Sequence, residues 1–250
     1  EILQRKNYII RKSVNLSKQV HIIASNIDQA FLIVTLVSPF TSTGFIDRFL
    51  VTAEAYQVPT ILVFNKVDLY DDFDREYHDE VVKVYSDAGY ECVEVSALNQ
   101  QNISLLTERM KDNVTLLSGH SGVGKSTLVN AIDPNLDLLT QQVSDAHQKG
   151  MHTTTFAEMF ELDFGGFIID TPGIKGLGLV EINDSELADY FPEMLAYKGQ
   201  CKFHNCKHLN EPKCAVKSAL DTGKINPIRY DSYISMLEDD GNQYRESKYH

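Results

Sequence analysis

The sequence has no long apolar run and is short of positive charge. Nowhere do about eighteen apolar residues follow one another, as a membrane-spanning helix requires, and the N-terminus lacks the pattern of a secretion signal. Its 23 lysine and arginine residues are outnumbered by 35 acidic residues, which gives a net charge of −12. An evenly acidic surface repels nucleic acid. These shortages argue against export, membrane insertion and uniform binding to nucleic acid, so we expect a cytoplasmic protein.

Two segments reverse the acidic balance. Residues 1–18 carry five basic side chains against Glu1, and residues 198–217 carry five lysines against Glu211. Basic clusters of this kind are typical of surfaces that contact phosphate groups. The alternative is that both are ordinary solvated faces.

Short β-branched and aromatic runs alternate with helical patterns through most of the chain. Strands are predicted over 31–36, 60–65, 91–96, 113–118, 155–162 and 165–170, and helices over 46–56, 75–88, 103–111 and from Lys125 onward. This alternation predicts an α/β fold with a mostly parallel sheet and helices on both faces. From about residue 181 the pattern changes to short helical pieces, which indicates a second, smaller and mainly helical domain.

A phosphate-binding loop is predicted between the strand at 113–118 and the next helix. The stretch "GHSGVGKS" follows the pattern G-x-x-x-x-G-K-[ST], and its position between a strand and a helix is the context that supports it. Backbone N–H groups and the lysine would contact phosphate oxygens, and Ser126 would contact Mg²⁺. The candidate phosphate-binding residues are Gly119, Ser121, Gly122, Val123, Gly124, Lys125, Ser126 and Thr127.

The stretch "NKVD" supplies a base-reading loop at the end of the strand at 60–65. The carboxylate of Asp68 can accept hydrogen bonds from the ring N–H and the amine of guanine, which adenine cannot donate. The stem of Lys66 can lie over the base, and Asn65 can connect this loop to the phosphate loop. After the next strand, Ser96 and Ala97 predict a second base loop, in which the Ala97 N–H would meet guanine O6. The sequence therefore favours GTP over ATP.

The segment "FIIDTPG" predicts the loop that senses the γ-phosphate. Asp170 would hold the Mg²⁺ shell, and the N–H of Gly173 would approach the phosphate. A switch threonine must bind Mg²⁺ when GTP is present, and the segment 149–155 offers Thr153, Thr154 and Thr155. We favour Thr154.

Ile174 occupies the position where Ras-like enzymes carry a glutamine that orients the attacking water. Since an aliphatic side chain cannot orient water, another group must do so. His152 is our candidate for this catalytic role, beside Lys125 and Thr154. The alternative is that His152 is an exposed bystander.

A cluster of cysteine and histidine residues predicts one structural Zn²⁺ ion. Three thiolates and one imidazole suit tetrahedral zinc with no open position. The predicted ligands are Cys201, Cys206, His208 and Cys214. His204 is a rival fourth ligand, and Cys92 is expected in the core. Disulfides are disfavoured in a reducing cytoplasm, and the cluster has an odd number of cysteines.

The motifs occur in a distinctive order. The base-reading motif comes first, then the second base loop ("SAL", residues 96–98), the phosphate loop, the "HTTT" segment, "DTPG" and finally the C-x₄-C-x-H-x₅-C cluster. Together they resemble the RsgA (YjeQ) family of circularly permuted GTPases. The resemblance covers nearly the whole chain. It implies a GTP hydrolase that assists late maturation of the small ribosomal subunit, binds its rRNA and is stimulated by it. It also implies that His152 is catalytic and that Thr154 is the switch threonine.

The resemblance also suggests a domain division. Family members carry an N-terminal OB-fold, and this chain begins with Glu1 rather than Met, so we expect residues 1–24 to be only its last strand and linker. Residues 25–180 would form the permuted GTPase domain, and residues 181–250 the zinc-binding domain. We expect a monomer that binds GTP and GDP. The rival function is a binding module in which GTP is a conformational ligand and hydrolysis is incidental.

Overall fold

A six-stranded sheet organises the fold. The computed structural model describes residues 4–12, 20–136, 158–170 and 182–238. The strands are β1 (Tyr8–Lys12), β2 (Val20–Ser25), β3 (Gln29–Val34), β4 (Thr60–Asn65), β5 (Glu91–Val95), β6 (Val114–Ser118), β7 (Glu158–Glu161) and β8 (Phe167–Asp170). The helices are α1 (Thr43–Ala55), α2 (Asp72–Asp87), α3 (Ile103–Met110), α4 (Lys125–Ile132), α5 (Pro192–Leu195), α6 (Ala215–Asp221) and α7 (Pro227–Leu237).

The strand order of the sheet is β5-β4-β3-β6-β8-β7. Each neighbouring pair is parallel except β7 and β8, which are antiparallel at the edge. The mostly parallel sheet predicted from the alternating pattern is therefore confirmed. Because parallel strands end at the same edge, the loops after β4, β5, β6 and β8 meet there, whatever their order along the chain.

Burial on both faces explains the apolar sequences of the central strands. In β3, "QAFLIV", every residue after Gln29 is buried, and in β4, "TILVFN", every residue after Thr60 is buried. Alternate side chains enter different cores: Leu32 and Val34 pack with α1 and α2, whereas Phe31 and Ile33 pack with α3 and α4. Helices thus cover both faces, as a parallel sheet requires.

Two helices begin earlier than the sequence pattern predicted, because polar side chains cap them. Ser42 precedes α1, and its hydroxyl accepts a hydrogen bond from the Phe45 N–H at 3.3 Å. Before α2, Asp71 accepts from the Asp74 N–H at 2.8 Å, and the Asp74 side chain accepts from the Asp71 N–H at 3.2 Å. Such caps satisfy N–H groups that have no partner within the helix.

The C-terminal residues 182–238 pack around a separate apolar cluster. Phe191, Met194 and Tyr233 lie at its centre, and α1 contributes Val51 to it. Helix α1 therefore faces the sheet with Ile46 on one side and the C-terminal module on the other.

The N-terminal residues form two strands, where the sequence led us to expect one strand and a linker. β1 and β2 pair antiparallel, with Tyr8 opposite Ser25 and Lys12 opposite Val20. Ile9 and Ala24 are buried in the same core as β3 and β4. Among the described residues, no helix combines the length and apolarity needed to cross a lipid bilayer.

Candidate nucleotide site and metal centre

Glycines shape the loop between β6 and α4. Gly119, Gly122 and Gly124 have φ angles of 148°, 87° and 90°, a region that favours glycine. A Cβ atom at Gly119 would collide with the carbonyl oxygen of Ile33, and one at Gly124 would lie 2.5 Å from the side-chain nitrogen of Asn65. The phosphate loop therefore passes too close to its neighbours for larger residues.

Lys125 closes over this loop from the first turn of α4. Its ammonium group donates hydrogen bonds to the carbonyl oxygens of Gly119 at 2.7 Å and His120 at 2.8 Å. Ser126, half-buried, and Thr127, exposed, follow it at the start of the helix, while Val123 is buried beneath the loop. A cation held across the mouth of a glycine loop, at the N-terminus of a helix, can bind phosphate oxygens.

Asn65 connects three loops at the edge of the sheet. Its amide nitrogen donates to the carbonyl oxygen of Val123 at 2.8 Å, which is the link between the base-reading loop and the phosphate loop that the sequence led us to expect. Its amide oxygen accepts from the Ala97 N–H at 3.1 Å. The N–H predicted to meet guanine O6 is therefore bonded to Asn65 in this structure. Ser96 is buried, and its hydroxyl accepts from the Asn99 N–H at 3.1 Å.

Lys66 and Asp68 follow Asn65 in a strained turn. Lys66 has a φ angle of 67°, and its ammonium group donates to the carbonyl oxygens of Ser38 at 2.6 Å and Gly122 at 2.7 Å. Asp68 is half-buried in the 3₁₀ turn Val67–Leu69. Within the described ranges, no group donates a hydrogen bond to its carboxylate. As far as the described residues go, this carboxylate can therefore accept from a base.

The γ-phosphate side of the site is described only in part. Asp170 ends β8 and lies opposite Leu117 of β6, the strand that leads into the phosphate loop. The other predicted sensors lie outside the described residues. They are His152, Thr153, Thr154, Thr155 and Gly173; Ile174, which was expected not to orient water, lies there too.

Sequence reasoning missed an aromatic contact with the phosphate loop. The rings of His120 and Phe45 lie 3.6 Å apart between centroids, so the first turn of α1 packs against this loop. Burial lowers the pKa of His120, and the nearby ammonium group of Lys125 lowers it further. The two residues are 75 positions apart in the sequence, and no local pattern would have paired them.

A second polar centre lies in the C-terminal module. The four predicted metal ligands come together, with all ligand atoms within 4.8 Å of one another. These residues are Cys201, Cys206, His208 and Cys214. The Sγ atoms of Cys201 and Cys214 are 3.9 Å apart, and Nδ1 of His208 lies 3.7 Å from the first and 3.3 Å from the second. This set could hold a metal ion, and His204, the rival ligand, is not part of it.

Backbone N–H groups surround the thiols of this cluster. The Ala215 N–H donates to the sulfur of Cys201 at 3.3 Å, and the Lys217 N–H donates to that of Cys214 at 3.4 Å. Burial alone would raise the pKa of Cys201, but hydrogen bonds from the N–H groups of Ala215 and Val216 and with the other two thiols lower that pKa, whereas burial raises the pKa of Cys214. Donors of this kind stabilise thiolates, the form that binds metals.

A buried arginine joins the metal module to the nucleotide-binding part. Arg229 of α7 is 0% exposed and forms ion pairs with Asp47 of α1 at 2.6 Å and Glu193 of α5 at 2.7 Å. Its guanidinium lies 4.7 Å from the centroid of the Phe191 ring. Burial alone would lower the pKa of Arg229, but the two carboxylates raise it above its ordinary value. The sequence offered no sign of this contact, which spans 182 positions.

Helix α7 also reaches the metal cluster. The Tyr230 hydroxyl donates to the carbonyl oxygen of His208 at 2.5 Å, and the Tyr233 hydroxyl donates to that of Lys207 at 2.8 Å. One helix therefore contacts α1 through Arg229 and the ligand loop through two tyrosines.

A phosphate loop and a guanine loop tied together by one asparagine, with the guanine loop first in the chain, define a circularly permuted P-loop GTPase. Residues 2–180 match the model of a family described as RsgA GTPase. The chain belongs to the RsgA GTPase family and is thus a GTP hydrolase. The resemblance found in the sequence is confirmed.

Two relatives are described as small ribosomal subunit biogenesis GTPase RsgA. The one from Christiangramia forsetii is 55% identical over 249 residues, which are 100% of this chain and 79% of the relative. The one from Flavobacterium psychrophilum is 54% identical over 249 residues, 100% of this chain and 76% of the relative.

Two solved structures share the fold. YjeQ from Thermotoga maritima has a TM-score of 0.78 and 38% identity, over 96% of this chain and 77% of that one. YloQ, described as a circularly permuted GTPase, has a TM-score of 0.76 and 33% identity, over 100% of this chain and 76% of that one.

Proposed function

We propose that the chain hydrolyses GTP as an assembly factor in late maturation of the small ribosomal subunit, and that the subunit stimulates hydrolysis. The observation that carries this proposal is the 55% identity to a relative named for small ribosomal subunit biogenesis. Its partners are GTP, GDP, the small subunit and the rRNA of that subunit. The rival is a binding module for which hydrolysis is incidental.

Guanine is read by the two loops that Asn65 joins. Asp68 accepts from the base, the stem of Lys66 lies over it, and the loop of Ser96 and Ala97 lies at O6. The Ala97 N–H already donates to Asn65 at 3.1 Å, so guanine either shares this donor or displaces the Asn65 oxygen. An open Asp68 carboxylate supports this arrangement.

The phosphates are held by the glycine loop. Its residues are Gly119, Ser121, Gly122, Val123, Gly124, Lys125, Ser126 and Thr127. Lys125 exchanges its two carbonyl partners for phosphate oxygens when the nucleotide binds. The hydroxyl of Ser126, one residue further along α4, would hold Mg²⁺, and this ion would supply positive charge at the phosphates.

The attacking water and the γ-phosphate are contacted by residues before β7 and by residues at the end of β8 and after it. Thr154 is the second protein ligand of Mg²⁺, Asp170 holds the Mg²⁺ shell, and the N–H of Gly173 senses the γ-phosphate. His152 orients the attacking water, since Ile174 cannot. We expect His152→Ala to lower subunit-stimulated turnover towards the basal rate with unchanged GTP affinity. Unchanged turnover would remove His152 from the mechanism.

The cysteine cluster would hold Zn²⁺, and the ion would have a structural role. A tetrahedral site with Zn–S bonds of about 2.3 Å places its sulfur atoms about 3.8 Å apart. The 3.9 Å separation of the Cys201 and Cys214 sulfurs suits that geometry. Four protein ligands leave no position for a substrate.

The basic segment 198–217 contacts rRNA through part of its charge. Lys198 pairs with Asp189 at 2.7 Å, and Lys207 pairs with Asp184 at 3.1 Å. These carboxylates weaken the attraction of the two lysines for phosphate groups. In the described part of the chain, Lys202 and Lys213 have no such carboxylate. Lys202 lies 5.1 Å above the ring of Phe203, and an exposed ring beside a cation can stack on a base.

We further infer that the protein acts as a monomer in the cytoplasm. The proposed domains are residues 1–24, the end of an OB-fold and its linker, residues 25–180, the GTPase domain, and residues 181–250, the zinc domain. The relatives extend beyond the matched region, since this chain spans 79% of the first.

The test compares GTP turnover with and without purified small ribosomal subunits. The proposal predicts slow basal turnover, because no arginine finger or switch glutamine is evident, and stimulation of at least about tenfold by the subunit. Large ribosomal subunits serve as the control. Equal rates in all three conditions, with nucleotide-dependent binding to the small subunit, would favour the binding module.

A further inference from the structure

Large apolar side chains are exposed beside the guanine loop. Phe73, in the first turn of α2, is 76% exposed, and Phe40, in the loop after β3, is 59% exposed. Leu69 directly follows Asp68 and is 50% exposed. Residues of this size are depleted from surfaces that face only water, and a contiguous group of them is typical of a binding surface.

Phe40, Phe73 and Tyr77 form one strip. Phe73 and Tyr77 lie four residues apart, on one face of α2. The ring of Tyr77 lies 6.3 Å from that of Phe40, between centroids. The loop of Phe40 is fastened to the guanine loop, because the ammonium group of Lys66 donates to Ser38. Tyr77 is half-buried and packs against the core, whereas Phe40 and Phe73 lie largely exposed beyond it.

The surroundings of the strip are strongly acidic. Residues 68–80 contain seven acidic residues against Arg75 alone. Asp71 and Asp74 serve the helix cap, but Asp72, Glu76 and Glu80 are exposed, recur every four residues and form no ion pair with any described residue. An acidic row beside an apolar strip repels RNA and attracts a positively charged partner.

We propose that this acidic apolar surface, formed by Phe40, Phe73, Tyr77, Asp72, Glu76 and Glu80, docks a lysine- and arginine-rich segment of a partner protein. Large apolar side chains of that segment cover the strip, and its cations meet the acidic row. Two independent observations support a partner of this kind. The exposed rings favour contact with apolar side chains, and the acidic row favours contact with lysine and arginine side chains. Since the strip borders the guanine loop, the partner contacts the protein beside its nucleotide.

The experiment takes its partner from the small ribosomal subunit and rests on the proposed function in that respect. A photoreactive phenylalanine derivative replaces Phe73 in the full chain, which is then bound to purified subunits with a non-hydrolysable GTP analogue and irradiated. A chain with the same group at Leu105 is the control. Leu105 is also exposed but belongs to α3, on the opposite face of the sheet.

The proposal predicts that position 73 crosslinks to a protein of the subunit, within a lysine- and arginine-rich peptide, and that position 105 does not. A crosslink to rRNA, or to a peptide without excess positive charge, would overturn it. Co-sedimentation without any crosslink at position 73 would overturn it and leave the proposed function standing. If the chain does not sediment with the subunit when the GTP analogue is bound, both this proposal and the proposed function are wrong.

Charge reversal gives a second readout. The variant Asp72→Lys, Glu76→Lys and Glu80→Lys should weaken binding to the subunit by about tenfold, because it repels a basic segment. Phe73→Ser should weaken binding to a similar extent, about tenfold, by removing an aromatic anchor, whereas Leu105→Ser should not. Tighter binding by the charge-reversed chain would mean that RNA faces this surface and would overturn the proposal.

Discussion

The nucleotide-binding part and the metal module maintain their structures in different ways. The first surrounds β3 and β4 with two large apolar cores, one on each face of the sheet. The second has a smaller apolar cluster, which includes Cys214 itself, and a ligand loop built largely of turns. Small modules of this kind usually need a metal or another crosslink, because too little apolar surface is buried.

The two parts therefore depend on different interactions to hold their loops in place. The nucleotide loops are positioned by strand ends and by Asn65, so they should keep their shape without a metal. The ligand loop carries the four residues that could hold a metal ion, and its carbonyl groups accept two hydrogen bonds from α7. Removing an interaction should therefore affect one part or the other, except at Arg229, which belongs to both.

Loss of the metal should have the largest effect. Cys214→Ser removes one ligand, and a structural zinc ion contributes about 10–16 kcal/mol of binding free energy in small zinc-dependent folds. We expect zinc content to fall to background and amide hydrogens of residues 196–222 to exchange rapidly, while GDP affinity is retained. Metal analysis and hydrogen-exchange mass spectrometry measure both.

Cys92→Ser is the matched control, since Cys92 lies in β5, outside the metal cluster. It should leave zinc content and exchange unchanged. A Cys214→Ser chain that binds zinc normally would contradict the assigned ligand set.

Arg229→Met should destabilise both parts together. It leaves the carboxylates of Asp47 and Glu193 buried without a counter-charge, which costs about 3–5 kcal/mol. Urea unfolding should show this loss of free energy. Arg109→Met is the control, because Arg109 pairs with Glu91 at the surface and such a pair contributes about 1 kcal/mol or less. If both substitutions lower the free energy of unfolding equally, the buried ion pair does not stabilise the contact between the two parts.

Asn65→Ala should affect only the nucleotide loops. It leaves the Ala97 N–H and the Val123 carbonyl without their partner, a penalty of about 1–3 kcal/mol. We expect GDP affinity to fall by about tenfold or more with zinc content unchanged, as measured by calorimetry. Asn99→Ala, in the adjacent loop, should leave GDP affinity at the wild-type value.

The smallest expected effect is a difference in labelling rate between Cys92 and the other cysteines. Burial raises the pKa of Cys92 to about 11. At pH 8 its thiolate fraction is then about two hundredfold below that of an ordinary cysteine, whose pKa is about 8.5, and its labelling should accelerate about tenfold per pH unit up to about pH 10. After zinc is chelated, the ligand cysteines should react first. Fast labelling of Cys92 in the zinc-loaded chain would contradict its burial.

The sequence predicted the sheet and the joined loops because their signals are local. Strand β4 begins and ends where the pattern of "TILVFN" predicted, and the Asn65 link follows from its place at the strand end. The spacing of the cysteines and His208 likewise predicted the four residues that come together and could hold a metal ion. Helix starts were less accurate, since caps such as Ser42 and Asp71 precede the apolar pattern.

Contacts between distant elements could not be predicted. Arg229 resembles any surface arginine in "PIRYDSY", and only the packing of α7 on α1 brings it to Asp47. The contact between His120 and Phe45 and the bond from Lys66 to Ser38 also depend on loops that meet only in the folded protein.

We propose that the two parts divide the work: the sheet edge binds and hydrolyses GTP, and the metal module, joined to it through Arg229, transmits contact with the small subunit. The most direct test measures GTP turnover of Cys214→Ser with and without small ribosomal subunits. The account predicts that basal turnover persists and stimulation is lost. Stimulation equal to that of the wild-type chain would contradict it.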